Sequence, residues 1–151
     1  MMQTMTQFSV FLINKPGVLA QVIEAIAAAK VNVVALTIVD ASEHGVLRVV
    51  GDDPASLRAA LTDLNLPTHE TPVLAAELSN RPGAFAAVVG KLAAEHINIE
   101  YAYVTAGAPG GKTTGILKVD NLERAQRALK SAIGHDKFKG KTDYHNVARR
   151  R

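Results

Sequence analysis

The chain repeats itself. Asn14-Lys15-Pro16-Gly17 returns 66 residues later as Asn80-Arg81-Pro82-Gly83. At that offset residues 7–38 and 73–104 share nine identities in 32 aligned pairs, where ordinary residue usage gives about two by chance. The nine are Leu12, Asn14, Pro16, Gly17, Ala20, Val22, Ala27, Ala28 and Asn32 with their counterparts. Gly45–Val49 then aligns with Gly115–Val119 at an offset of 70, which implies four extra residues in the intervening loop of the second copy. A duplication on this scale means that 151 residues hold two small units of one design.

Each copy spells the same order of elements. Phe8, Val10 and Leu12 alternate with Ser9, Phe11 and Ile13, a strand pattern whose counterpart is Leu74, Ala76 and Leu78. After the Pro-Gly, helical spacing follows: Leu19, Val22, Ile23 and Ile26, then Phe85, Val88, Val89 and Leu92. Proline is tolerated in the first turn, where its missing N–H has no partner in any case. Strands are expected at 32–39 and 98–105, and third strands at 46–50 and 116–119. A second helix has Asp53 as cap and Pro54 as opener, with Leu57, Leu61 and Leu64 on one face. In copy two Asn121 caps it, Leu122, Ala125, Leu129 and Ile133 form the face, and Gly134 stops it. A fourth strand at 68–73 runs almost directly into the second copy, whose own fourth strand at 135–141 is expected to be short, frayed or absent. Each unit is β-α-β-β-α-β, so the expected class is α+β, two tandem ferredoxin-like units with antiparallel sheets. The first spans 6–72 and the second 73–140, with a basic, disordered tail at 141–151.

Charge and composition exclude several functions. The formal net charge is +3, but residues 135–151 carry +4, which leaves 1–134 at −1. The body therefore lacks the basic surface that nucleic acid requires. With no cysteine there is no disulfide framework, thiol catalysis or thiolate metal site. The five histidines, at 44, 69, 96, 135 and 145, show no metal-ligand spacing, so neither a metal nor a cofactor is expected. No apolar run reaches the ~18 residues of a membrane span, and the first residues lack the pattern of a signal peptide. A cytoplasmic protein is the expectation.

The recurring turn lies between a strand and a helix N-terminus. Unpaired N–H groups and the helix dipole favour an anion there, and Gly17 and Gly83 let a ligand approach the backbone. Taken alone, the turn reads as an asparagine cap followed by a Pro-Gly bend. A second asparagine adds to it: Asn32 and Asn98 each lie 18 residues after the first and open the second strand, where asparagine is a poor choice. Amides from loop and strand, with free helix N–H groups, complement the carboxylate and ammonium of an amino acid.

These residues resemble the ACT domains, the amino-acid-sensing modules of biosynthetic enzymes. The resemblance rests on Asn-x-Pro-Gly-[Val/Ala]-[Leu/Phe] and the later [Val/Ile]-Asn-[Val/Ile], covers about residues 7–134, and occurs twice. It implies that a loop asparagine and a strand-two asparagine hold the effector across a subunit interface, as in the ACT domain of phosphoglycerate dehydrogenase. The implied ligand site comprises Asn14, Lys15, Pro16, Gly17, Val18, Leu19 and Asn32, and again Asn80, Arg81, Pro82, Gly83, Ala84, Phe85 and Asn98. Glu100, two residues beyond Asn98 and so on its strand face, is a candidate acceptor for a ligand ammonium. No catalytic residue is implied. The expected partners are a small L-amino acid, a second copy in a homodimer, and a regulated biosynthetic enzyme.

Other signals weigh less. Gly107–Thr113 mimics a phosphate-binding loop, but its first glycine is misplaced and it lies between strands, so a hairpin loop is expected. Tyr101 and Tyr103 resemble the stacking aromatics of an RNA-binding sheet, but the third strand lacks the basic-aromatic string, and interface packing is the simpler role. The second strand of copy one is apolar on both faces, which predicts cover from the second unit or a second chain. The rival function is an acylphosphatase-like hydrolase using Asn80 and Arg81, for which no nucleophile–base pair is evident. Gly83→Val suggests itself as a probe that blocks the ligand and spares the fold.

Overall fold

The structure is a computed structural model that describes residues 2–39, 44–105, 107 and 110–133. The fourth strand expected at 135–141, the Gly134 stop and the basic tail lie outside these residues. The elements are β1 (Met2–Ile13), α1 (Val18–Ala28), β2 (Val33–Val39), β3 (His44–Gly51), α2 (Pro54–Asp63), β4 (Thr68–Ser79), α3 (Ala84–Ala94), β5 (Ile99–Thr105), β6 (Lys112–Val119) and α4 (Leu122–Ile133).

The two units share one antiparallel sheet in the order β2-β3-β1-β4-β6-β5. At its centre two long strands cross from unit to unit. The first half of β4 is the fourth strand of unit one, and its second half, from Leu74, is the first strand of unit two. Residue numbers in every β1–β4 pair add to 78 while duplicated residues differ by 66, so Thr6 opposite Pro72 is the pair that maps onto itself. A pseudo-twofold axis therefore passes through Thr6 and Pro72.

That symmetry shows what completes unit two. Thr4 lies opposite Leu74 as Glu70 lies opposite Phe8. Met2–Thr6 thus occupies the place of the second unit's fourth strand, although it comes first in the sequence. Side chains repeat the equivalence. Arg58 on α2 bonds Glu70, and Gln126 on α4 bonds Thr4. Val33 opposite Gly51 and Ile99 opposite Val119 set the offset of the third strands at 68. The second copy has therefore gained two residues, and the offset of 70 is corrected. Gly115 stands where unit one has Leu47. A Cβ at Gly115 would lie 3.6 Å from the Phe85 ring, so the larger Phe85 fills the space that Leu47 takes in unit one.

All four helices lie on one face of the sheet. Phe8, Val10, Leu12, Leu47 and Val49 meet Val22, Ile26, Leu57 and Leu61 in the first core. Leu74, Ala76, Leu117 and Val119 meet Leu92, Ala125 and Leu129 in the second. Asp53 caps α2 as expected, accepting from the N–H groups of Ala55 and Ser56, and Asn121 accepts from Arg124 N–H. The opposite face curls on itself. Strands β2 and β5, at the two edges, make contact, and Ala35, Val50, Val73, Ala75 and Ile116 form a third core with Met5, Val34 and Tyr103 around it. The second unit thus covers that face of β2, as its doubly apolar pattern predicted. The helix-side face is the one left open, with Leu36 at 37% and Ile38 at 44% exposure.

Candidate functional site

Each Asn-x-Pro-Gly turn ends in a glycine that few residues replace cheaply. Gly17 has φ 89° and Gly83 φ 85°, left-handed conformations in which a side chain is strained. These glycines, not the asparagines, are the N-cap residues of α1 and α3, and neither helix has a side-chain cap. The prolines sit one residue before these N-caps, outside the helices. The asparagine-cap reading is therefore corrected. Gln21 N–H reaches Gly17 and Ala87 N–H reaches Gly83, so the first turns begin there and the N–H groups between lack intrahelical acceptors. A Cβ built on either glycine meets nothing within 4 Å, so the space above both turns is open. The left-handed backbone also corrects the choice of Gly83→Val, because valine there is strained by the turn itself.

The two asparagines of the turns differ in setting. Asn14 is exposed; Asn80 is half-buried. The Asn80 amide donates to the Gly107 carbonyl at 2.7 Å, its N–H donates to the Gly111 carbonyl at 2.8 Å, and its carbonyl accepts from Gly110 N–H at 3.3 Å. The glycine-rich segment that mimics a phosphate loop is thus a hairpin connection fastened to the turn. Lys15 and Arg81 are exposed beside the asparagines.

The strand asparagines lie elsewhere. Asn32 N–H donates to Asp52 at 2.9 Å and its carbonyl accepts from Asp52 N–H at 3.1 Å; Asn98 and Asp120 repeat this at 3.2 and 3.1 Å. Both side chains are exposed, one residue before the row of Val33 and Ile99 that crosses the sheet at the pseudo-twofold axis. Ile13 pairs with His44 and Val33 with Gly51, so Asn14 and Asn32 stand at opposite ends of β3. Asn14 lies one residue beyond this span and Asn32 is level with Asp52, so about nine residues at ~3.3 Å put them roughly 30 Å apart. The two turns are farther still, roughly 50 Å apart along the central strands. Within one chain, then, neither turn meets a strand asparagine. Glu100 sits at the irregularity between Ile99 and Tyr101, which breaks the pleat it was expected to share with Asn98, and Lys118 Nζ approaches it at 3.4 Å.

A polar cluster between the units escaped the sequence reading. Gln7 is fully buried; its Nε2 donates to Tyr101 Oη at 2.8 Å, and its Oε1 accepts from Tyr103 Oη at 2.9 Å. The Arg48 guanidinium lies 4.0 Å from the centre of the Tyr101 ring. Burial raises the Tyr103 pKa above its ordinary 10.0, the neighbouring Tyr101 adds to this, and Arg48 opposes it. The tyrosines are thus interface residues, as expected. Their partner was illegible because Gln7 lies 94 residues away.

With the duplicated turns and shared sheet in place, comparison is informative. A family model described as an ACT domain pair matches residues 2–135. The chain belongs to the ACT domain pair family. This ACT pair resembles protein BT0572 from Bacteroides thetaiotaomicron at 32% identity, with a TM-score of 0.80 over 87% of this chain and 90% of that one. The ligand-free regulatory subunit of aspartate kinase from Thermus thermophilus superposes with a TM-score of 0.63 at 17% identity, over 87% of this chain and 95% of that one. A structure of aspartokinase alpha and beta subunits gives 0.60 at 20% identity, over 89% and 97%. These last two share the ACT pair's fold. No curated protein sequence matches it. Among the described residues no cluster of three or more metal-binding side chains occurs, and no helix is long and apolar enough to cross a membrane.

Proposed function

We propose that this ACT pair is a non-catalytic regulatory protein that binds a small L-amino acid at its Asn-x-Pro-Gly turns and acts on a partner enzyme. One observation carries the reading: both turns hold a left-handed glycine, an uncapped helix N-terminus and open space above it. The N–H groups of Leu19 and Ala20, and of Phe85 and Ala86, take the ligand carboxylate, favoured by the helix dipole; those of Val18 and Ala84 close the turns onto Lys15 and Arg81. At the first turn the exposed Asn14 amide orients the ligand; at the second the Asn80 amide holds the Gly107 hairpin beside the turn. Because Asn14 and Asn32 stand at opposite ends of β3, a ligand touching both is shared with a second chain. Such a ligand binds the assembled arrangement better than separate chains, which is the differential affinity that a regulator needs. The fold shared with a regulatory subunit of aspartate kinase supports a detached regulator. The hydrolase reading needs the Asn80 amide at a reaction centre, and that amide is given to Gly107.

A thermal-shift screen of the twenty proteinogenic L-amino acids tests this. A ligand at a hundred times its Kd adds about 2.7 kcal/mol of stability, a rise of several degrees. Asn14→Ala should weaken binding by about 1–3 kcal/mol through the unmatched polar groups it leaves in the complex. No shift with any amino acid contradicts the proposal.

A further inference from the structure

We propose that the apolar end of the curled face in unit one is the surface on which two copies of this chain associate. Among the described residues, seven of the eight large apolar side chains marked by exposure belong to unit one; Val104 is the exception. Three of the seven lie together on the face opposite the helices. Phe11, Val46 and Val39 form a row across β1, β3 and β2, and Ile13 follows on β1. Phe11 is 44%, Val39 45% and Ile13 56% exposed, and Val46 is half-buried. A contiguous exposed apolar patch, unlike a scattered apolar residue, is a candidate interaction surface.

The duplication supplies an internal comparison. At the same positions unit two has Glu77, Thr114, Thr105 and Ser79. Glu77 pairs with Lys112, and the Thr105 hydroxyl bonds the backbone of Thr114. The row that is apolar in one unit is thus polar in the other, within an otherwise shared framework.

The occupant follows from this asymmetry and from what adjoins the patch. Val39 and Val46 continue along β2 and β3 into Ala35 and Val50, part of the core between the two units. The patch is therefore the outward end of an interface that already joins one unit to another. The next row inward holds Ser9, Arg48 and Thr37, where the Arg48 guanidinium is turned inward onto the Tyr101 ring. Homodimer interfaces are the more apolar class. A chain with two adhesive ends related by a pseudo-twofold axis would add copies without limit. A chain with one closes as a twofold dimer. Polar side chains on unit two are the residues that such closure requires. The inference is independent of the ligand reading.

Sedimentation of the full chain over about a hundredfold range of concentration tests it. The wild type should be a monomer–dimer equilibrium with no larger species. Phe11→Glu with Val39→Thr gives unit one the residues of unit two. Both positions are exposed, so the melting temperature of the monomer should hold while the dimer Kd rises more than tenfold. The reverse exchange, Glu77→Phe with Thr105→Val and Thr114→Val, should produce species beyond the dimer that grow with concentration. A wild type that stays monomeric, a dimer indifferent to the first pair, or a reverse variant that stops at the dimer each overturns the proposal.

Discussion

Gln7 ties the two halves of the chain at a single side chain. Its amide is buried and answers two tyrosines from the other unit, so each partner depends on it. Tyr103→Phe removes the donor to Gln7 Oε1 and should cost about 1–3 kcal/mol in chemical denaturation. A cycle with Gln7→Leu should be non-additive, because the double variant leaves fewer polar groups unmatched. The same residue sets a pH limit. Burial holds the Tyr103 phenol above its ordinary 10.0, so the folded state keeps this proton more tightly than the unfolded chain. This contribution is complete below the unfolded pKa, near pH 10, and is lost as pH rises toward the folded one. Stability measured above pH 10 should therefore fall less steeply in Tyr103→Phe than in the wild type. At the turns, Gly83→Val should lose roughly 1–2 kcal/mol through its left-handed backbone, whereas Gly83→Asn should be better tolerated.

The strands show where a linear reading stops. Deleting Met2–Thr6 removes the strand beside Leu74 and the Thr4 partner of Gln126, so amide exchange should accelerate in α4 and β4 far more than in α1. Equal acceleration in both units would contradict the role assigned to this segment. The periodic elements were legible: both first helices, the Asp53 and Asn121 caps, and the strand order within each unit follow from local pattern. The joining of two units through β1 and β4 was only half legible, because a strand supplied from the opposite end of the chain leaves no local trace. The offset of the third strands was misread on five residues of apolar likeness. The pairing of Asn32 with Asp52 and Asn98 with Asp120 fixes it, and that pairing is visible only in the fold. At the candidate site the duplicated turns were legible, and their distance from the strand asparagines was not. Eighteen residues span a helix that returns the chain to the other end of the sheet.

For the molecule as a whole, the pseudo-twofold axis makes two turns at distant ends of one curled sheet, with the buried Gln7 cluster between them. On the proposed reading a ligand at either turn acts at the edge of its unit, and the shared strands β1 and β4 connect that edge to the other unit. The most direct measurement follows backbone amides by NMR as the amino acid selected by thermal shift is titrated in. The expected result is that the largest shifts fall at Gly17–Ala20 and Gly83–Ala86 and are lost at the first turn in Asn14→Ala. Saturable binding that leaves both sets of amides unmoved would contradict the assignment of the turns as the ligand site.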